Sequence, residues 1–190
     1  MLYKIVVLLL EVASGLLTSA CLLRLYMQYQ RIPLTARSGN PLGRFIFALT
    51  DWIVLPLRRV VPAMGRWDMA SLLAALLIQL AHFGLLWSLN DFGGTPVSVV
   101  VLAVLGLVRV SLSGLTAMVL VYAVLSWVQA QSYLSDLMGR LVAPALAPIR
   151  KIVPLVGGVD LSPLALLVLL QILTIVLGEI QFAALSALAV

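Results

Sequence analysis

Four separate runs of more than twenty mostly apolar residues decide what this chain can fold into. They lie at residues 5–27, 69–89, 107–128 and 161–185. The hydrocarbon core of a bilayer is about 30 Å thick and is crossed by about 20 helical residues. In that medium every backbone polar group must bond inside its own segment, so each run is expected as a helix. A soluble alternative fails on area. Of the 190 residues, 63% are hydrophobic and 10% charged, whereas soluble domains are about 45–50% apolar and about 25% charged. A domain of about 150 residues leaves roughly a third of its chain surface wet, too much to hide this composition. A soluble enzyme and a disordered tail are both excluded. The expected class is an all-α membrane protein with four transmembrane helices.

The third apolar region is longer than one span. From Val97 to Val128 a single helix would reach about 48 Å. One reading divides it into a short interfacial or re-entrant segment, 97–106, and a span, 107–128. The other keeps one long tilted helix. Orientation follows from the loops. Arg31, Arg37, Arg44, Arg58, Arg59 and Arg66 lie between the first two spans, and Arg140, Arg150 and Lys151 between the last two. The short loop between spans two and three has Asp91 and no Lys or Arg. Basic loops stay in the cytoplasm, so both termini are expected to face outward. Thr18-Ser19-Ala20-Cys21 is a weak match to a lipoprotein cleavage site. Because the apolar run continues past Cys21, an uncleaved first span is expected.

Self-comparison shows one unit used twice. Pro56 to Gln79 aligns without a gap with Pro148 to Gln171. The shared pattern is Pro-x-basic-basic-aliphatic-aliphatic-Pro-x-x-Gly-x-x-Asp, and Leu72, Leu77 and Gln79 recur as Leu164, Leu169 and Gln171. Two halves, 1–92 and 93–190, are expected, each a helical hairpin of span, cytoplasmic loop, span. Both halves enter from the same side, so they form a parallel repeat.

The repeated motif has a physical reading. Two prolines six residues apart interrupt an ordinary helix and should hold a stiff bend. Arg58 and Arg59 in one copy, and Arg150 and Lys151 in the other, project from that bend beside the next span. There they can contact anionic lipid headgroups or a partner; the plainer reading is that they only fix topology. Gly65 and Gly157 supply a turn, and Asp68 and Asp160 stand where each following span needs an N-cap. Before each bend lies an expected amphipathic interfacial helix. Asn40-Pro41 starts the first, with Phe45, Ile46, Leu49, Trp52 and Ile53 on one face. Tyr133, Leu134, Leu137, Met138 and Leu141 form the second, which is expected to stop at Pro144.

Ionisable residues inside spans are costly and often functional. Glu11, His82, Arg109 and Glu179 lie about 20–27 Å from the cytoplasmic ends of their spans. They are expected as an intramembrane polar cluster in the outer half. Two roles stay open: an ion pair that locks helices together, with Arg109 pairing Glu11 or Glu179, or the lining of an ion path. His82 is the one histidine, and without a second or a CxxCH motif a haem ligand is not expected. Cys21 is the one cysteine, which rules out an internal disulfide or a multi-cysteine metal site. No nucleophile elbow, zinc-protease motif or phosphate loop occurs. No enzyme activity, cofactor or metal is expected. The net charge of +5 sits at the membrane surface, so nucleic acid is not an expected partner.

The bend at residues 56–65, Pro-Leu-Arg-Arg-Val-Val-Pro-Ala-Met-Gly, with Asn40-Pro41-Leu42 and the span after Asp68, resembles the YggT family of bacterial integral membrane proteins. Glu11 and Arg109 fit that resemblance, and the second copy departs from it with Lys151 and Leu155-Val156. The resemblance implies an inner-membrane protein linked to osmotic-stress tolerance and ion uptake. Gram-positive relatives are connected with cell division. Cyanobacterial and plastid relatives are connected with nucleoid arrangement and b-type cytochrome maturation. No catalytic or binding residues carry over to positions in this sequence. The leading expectation is a non-enzymatic inner-membrane protein that organises or helps assemble membrane components. Its expected partners are anionic lipids, other membrane proteins and further copies of itself. The alternative is ion transport, or its modulation, under osmotic stress.

Overall fold

The computed structural model describes residues 2–32, 41–61, 67–89, 96–128, 132–153 and 160–188. These form six helices: α1 (Leu2–Tyr29), α2 (Pro41–Val60), α3 (Met69–Ser88), α4 (Pro96–Trp127), α5 (Tyr133–Arg150) and α6 (Ser162–Leu188). No β-strand occurs among the described residues. α1, α3, α4 and α6 are each long and apolar enough to cross a membrane. α2 and α5 lie between members of that set. Asn40, Pro62, Gly65, Asp91, Pro154 and Gly157 fall outside the described residues, and so do the expectations that rest on them.

α4 corrects the two-piece reading of the third apolar region. The helix is continuous through Gly106, so 97–106 is not a separate segment. Gly106 has a packing reason instead. A Cβ added there would come within 2.7 Å of Phe83 Cε2 and 2.9 Å of Gln79 Oε1. The missing side chain leaves room for the Phe83 ring and the Gln79 amide of α3 against α4.

Two helices also run further than their prolines suggested. α2 passes through Pro56, and α5 passes through Pro144 and Pro148. Each proline removes one backbone bond and frees the carbonyl four residues earlier. Those carbonyls belong to Trp52, Arg140 and Pro144, all exposed residues, so no buried acceptor is orphaned. The bends therefore begin later than expected. Arg58 and Arg59 occupy the last turn of α2, Arg150 ends α5, and Lys151 is its C-cap. Cations there also meet the negative end of the helix dipole.

The single apolar face expected for α2 is split. Ile46, Thr50 and Val54 are buried, whereas Phe45, Trp52 and Leu55 are exposed. One side packs on protein and the opposite side is also apolar. In α5, Leu137, Met138 and Leu141 are buried, while Tyr133 and Leu134 are exposed.

The chain forms two compact units, residues 1–111 with 180–190 and residues 112–179. In the first, α1 packs against α3, and α2 packs against both. Small α3 residues (Ala70, Ser71, Ala74 and Ala75) are fully buried and allow the close approach, with Cys21 and Val54 in the same core. Gln79 Nε2 donates to Thr18 Oγ1 at 3.3 Å across the α1–α3 seam. α1 ends with Arg31 in the left-handed region at φ 57°, and the Ile32 N–H reaches back to the Met27 carbonyl at 2.9 Å. That is a Schellman-type stop. In the second unit, Val119 of α4, Val142 and Leu146 of α5, and Leu166 and Leu170 of α6 form the core.

Candidate functional site

The most developed polar site lies in the first unit, where the end of α1, the middle and end of α2, and the start of α3 meet. Its centre is Arg24, a residue of the first apolar run that is 2% exposed. The Arg24 Nη1 donates to Thr50 Oγ1 and to Asp51 Oδ1, each at 2.7 Å. Its guanidinium carbon sits 4.7 Å from the centre of the Phe47 ring, a cation–π distance. Its Nε lies 3.9 Å from Asp68 Oδ2 and makes no hydrogen bond among the described residues. Thr50 donates in turn to the Ile46 carbonyl at 2.7 Å. One buried cation thus gathers residues of two adjacent turns of α2.

Asp68 is the second centre. It occupies the N-cap position of α3, yet its carboxylate accepts no cap bond from the helix backbone. Its backbone carbonyl begins the helix instead, accepting from Ser71 N at 3.0 Å. The carboxylate takes Arg58 Nη2 at 2.5 Å, Arg58 Nε at 3.4 Å and Ser71 Oγ at 2.6 Å. With the Gln28 amide oriented to suit its neighbours, Gln28 donates to Asp68 Oδ2 at 2.9 Å and accepts from Arg58 Nη2 at 2.7 Å. The expected side-chain cap at Asp68 is therefore replaced by a tertiary ion pair, because a guanidinium is a stronger partner than a backbone amide. Burial by itself would raise the Asp68 carboxyl. The bonds from Arg58 and Ser71 outweigh it and hold the group below the usual carboxylate range. Arg24 and Arg58 face Asp51 and Asp68, so the charges balance within the site.

The second unit carries a smaller counterpart. Arg150 contacts Asp160 Oδ2 through Nε at 3.0 Å and through Nη2 at 2.9 Å. Its Nη2 also donates to the Tyr122 hydroxyl at 2.9 Å. Asp160 Oδ1 accepts the Ser162 backbone N–H at 2.9 Å. For Asp160 too, partial burial would raise the carboxyl, and the bonds from Ser162 and Arg150 hold it low. Arg58 with Asp68 and Arg150 with Asp160 stand at the same ten-residue spacing. The second pair is wetter: 43% and 24% of its two side chains are exposed, against 34% and 0% for the first.

The other residues singled out by sequence fall as follows. Arg59 and Lys151 are exposed. His82 is buried, its Nδ1 3.0 Å from Ser14 Oγ, and Ser14 Oγ also lies 3.2 Å from the Glu11 carbonyl. Glu11, Arg109 and Glu179 are exposed on α1, α4 and α6. Glu11 and Arg109 form no ion pair among the described residues. Of the four, His82 alone is buried among its neighbours. No group of His, Cys, Asp and Glu able to hold a metal ion occurs among the described residues.

Arg24 and Gln28 are what sequence reasoning missed. Arg24 sits three residues from the end of an apolar run, where a snorkelling cation attracts no notice. A signal was present: Ser14, Thr18, Cys21, Arg24 and Gln28 recur at spacings of three and four, a polar stripe along one face of α1.

The family model described as CCB3/YggT matches residues 3–89 and 101–181. "Uncharacterized protein YggT" of Escherichia coli K12 is 34% identical over 175 residues, covering 90% of this chain and 88% of that protein. "Uncharacterized protein in proC 3'region" of Vibrio alginolyticus is 34% identical over 162 residues, 84% of this chain and 85% of its own length. "Uncharacterized protein PA0392" of Pseudomonas aeruginosa is 31% identical over 159 residues, 82% and 79% of the two chains. No solved structure matches. With the model matching most of its length in two segments and relatives above 30% identity along most of theirs, the chain belongs to the CCB3/YggT family.

Proposed function

We propose that this protein is a non-enzymatic component of the bacterial inner membrane that organises or helps assemble other membrane components. In this reading both termini are periplasmic, and α2 and α5 lie along the cytoplasmic interface as the middle parts of two repeated hairpins. The observation that carries it is a division of labour within each basic pair. Arg58 and Arg150 are tied to Asp68 and Asp160, which anchors the end of α2 to the start of α3 and the end of α5 to the start of α6. Arg59 and Lys151, their sequence neighbours, are exposed. A held helix end thus presents an exposed cation at a fixed place, and such cations are attracted to anionic lipid at about 1 kcal/mol each. The exposed apolar side of α2, with Phe45, Trp52 and Leu55, suits burial at the headgroup boundary.

The test is to reconstitute the full chain in nanodiscs of mixed anionic and neutral lipid and measure the lipid composition around it. The double variant Arg59→Gln/Lys151→Gln should lose anionic enrichment while keeping the thermal stability of the parent. Equal enrichment in parent and variant refutes the reading.

A further inference from the structure

The second unit holds a cleft of about 570 Å³ between the end of α4 and the first half of α5. It is wide open to its surroundings, so it suits a ligand laid along the surface rather than one enclosed. Its walls carry Tyr122 and Ser126 from α4, and Ser135, Asp136 and Arg140 from α5. Gly139 forms part of the floor, where an added Cβ would touch the Tyr122 ring at 3.5 Å. None of the interactions described above consumes the charges of Asp136 and Arg140. The two are four residues apart on one helix, a spacing that often closes an ion pair, yet neither is in an ion pair among the described residues. The N-cap role in α5 is filled by Ser132, whose Oγ accepts the Ser135 N–H at 3.2 Å. Asp136 is thus not needed as a cap.

Tyr122 is set up as a donor. Its oxygen accepts from Arg150 Nη2, so its own hydroxyl hydrogen is directed elsewhere. The cleft therefore offers one guanidinium and several hydroxyl donors beside one carboxylate. A bare phosphate suits the donors but is repelled by Asp136. A metal ion suits the carboxylate but is repelled by Arg140. A ligand with an anionic and a cationic end satisfies both. Large apolar side chains stand close by in sequence and are exposed: Trp127 at the end of α4 and Val128 just after it, and Tyr133 and Leu134 at the start of α5. Such residues sit at headgroup depth.

We infer that this cleft binds a phosphoethanolamine headgroup, with the phosphate held by Arg140, Tyr122 and Ser126 and the primary ammonium by Asp136. The assignment rests on the membrane orientation proposed above but not on the role of Arg59 and Lys151. A primary ammonium donates hydrogen bonds to the carboxylate. A quaternary one cannot, and it would favour an aromatic cage. Phosphatidylethanolamine is therefore preferred over phosphatidylcholine. Phosphatidylglycerol lacks the cation and is disfavoured by Asp136.

The test uses the full chain in detergent, with native mass spectrometry counting adducts of the three lipids with matched acyl chains. The parent should retain phosphatidylethanolamine about tenfold over phosphatidylcholine, the size of one charge-assisted hydrogen bond. Asp136→Asn should erase that preference, and Arg140→Gln should weaken retention of all three. Both side chains are exposed, and an unchanged thermal melt establishes that each variant is folded. Equal retention of the three lipids by the parent overturns the inference, as does an unchanged preference in folded Asp136→Asn. Millimolar glycerophosphoethanolamine separates two sources of the same chemistry. Displacement of bound lipid supports a site that reads the headgroup alone, and retention supports one that needs the acyl chains. If anionic enrichment at Arg59 and Lys151 is measured while ethanolamine preference is absent, only the present inference fails.

Discussion

Arg24 Nη1 and Asp51 Oδ1 meet at 2.7 Å, joining the first long apolar helix to the helix that follows it. The Arg24 side chain is 2% exposed and the Asp51 side chain 41%, so the pair links a buried charge to an accessible one. The same guanidinium bonds Thr50 and lies over Phe47. α2 is thereby held at a fixed height against α1.

Arg24→Met should destabilise the protein by about 1–3 kcal/mol, the cost of leaving the buried Thr50 hydroxyl and the Asp51 carboxylate without their shared donor, since Asp51 itself is partly exposed. Arg24→Lys should recover only part of this, because a compact ammonium cannot bond Thr50 and Asp51 and also lie flat over the Phe47 ring. Thermal melts of purified protein in detergent measure both. Parent-like melting of Arg24→Met would show that the site contributes little to the fold.

Asp68 and Asp160 should divide in cost. Asp68 has a fully buried side chain and Asp160 is partly exposed to solvent. Asp68→Asn should cost about 3–5 kcal/mol and Asp160→Asn less than about 1 kcal/mol. A matched pair of chemical or thermal denaturation series reads the difference.

The same carboxylates give a pH dependence. Both are held below the ordinary aspartate value of 3.8. A group whose folded pKa is depressed contributes stability above its unfolded pKa and loses it as pH falls through the folded value. The contribution from Asp68 is thus constant from neutral pH to about pH 5, shrinks below 3.8, and is gone once the pH is below the folded value. Melting temperature against pH should show this fall in the parent, with a shallower slope in Asp68→Asn.

Gly106→Ala should destabilise the first unit by about 1 kcal/mol, the low end for overpacking, because the new methyl meets the ends of the Phe83 and Gln79 side chains inside 3 Å while the helix itself gains from alanine. Phe83→Leu should relieve part of the loss. A double-mutant cycle measures the coupling, which would be zero if α4 did not approach α3 at Gly106.

Sidedness is open to labelling. Cys21 is 0% exposed, so it should resist thiol reagents in the native protein. Arg59→Cys and Lys151→Cys should both react with an impermeant maleimide in inverted inner-membrane vesicles and in neither case from outside intact spheroplasts. Labelling of the two positions from opposite sides would overturn the orientation proposed here.

The sequence alone determined the class and the spans. Hydrocarbon excludes unsatisfied backbone, so runs of twenty apolar residues leave only the helix, and no tertiary information is needed to count them. It also marked both cationic pairs and both aspartates, since a motif written twice stands out from an apolar background. Which partners those residues take was decided by tertiary structure. Asp68 reads as a helix cap because capping is a local rule, and a guanidinium ten residues away competes for its carboxylate only once α2 and α3 are side by side. The third apolar region reads as two pieces because its length exceeds one span, whereas in the fold α4 runs unbroken through Gly106, which clears room for Phe83. Arg24 was passed over because a cation near the end of an apolar run can snorkel out to water. Only the packing of α2 across that end, placing Thr50, Asp51 and Phe47 around it, keeps its charge inside and makes it the centre of the site.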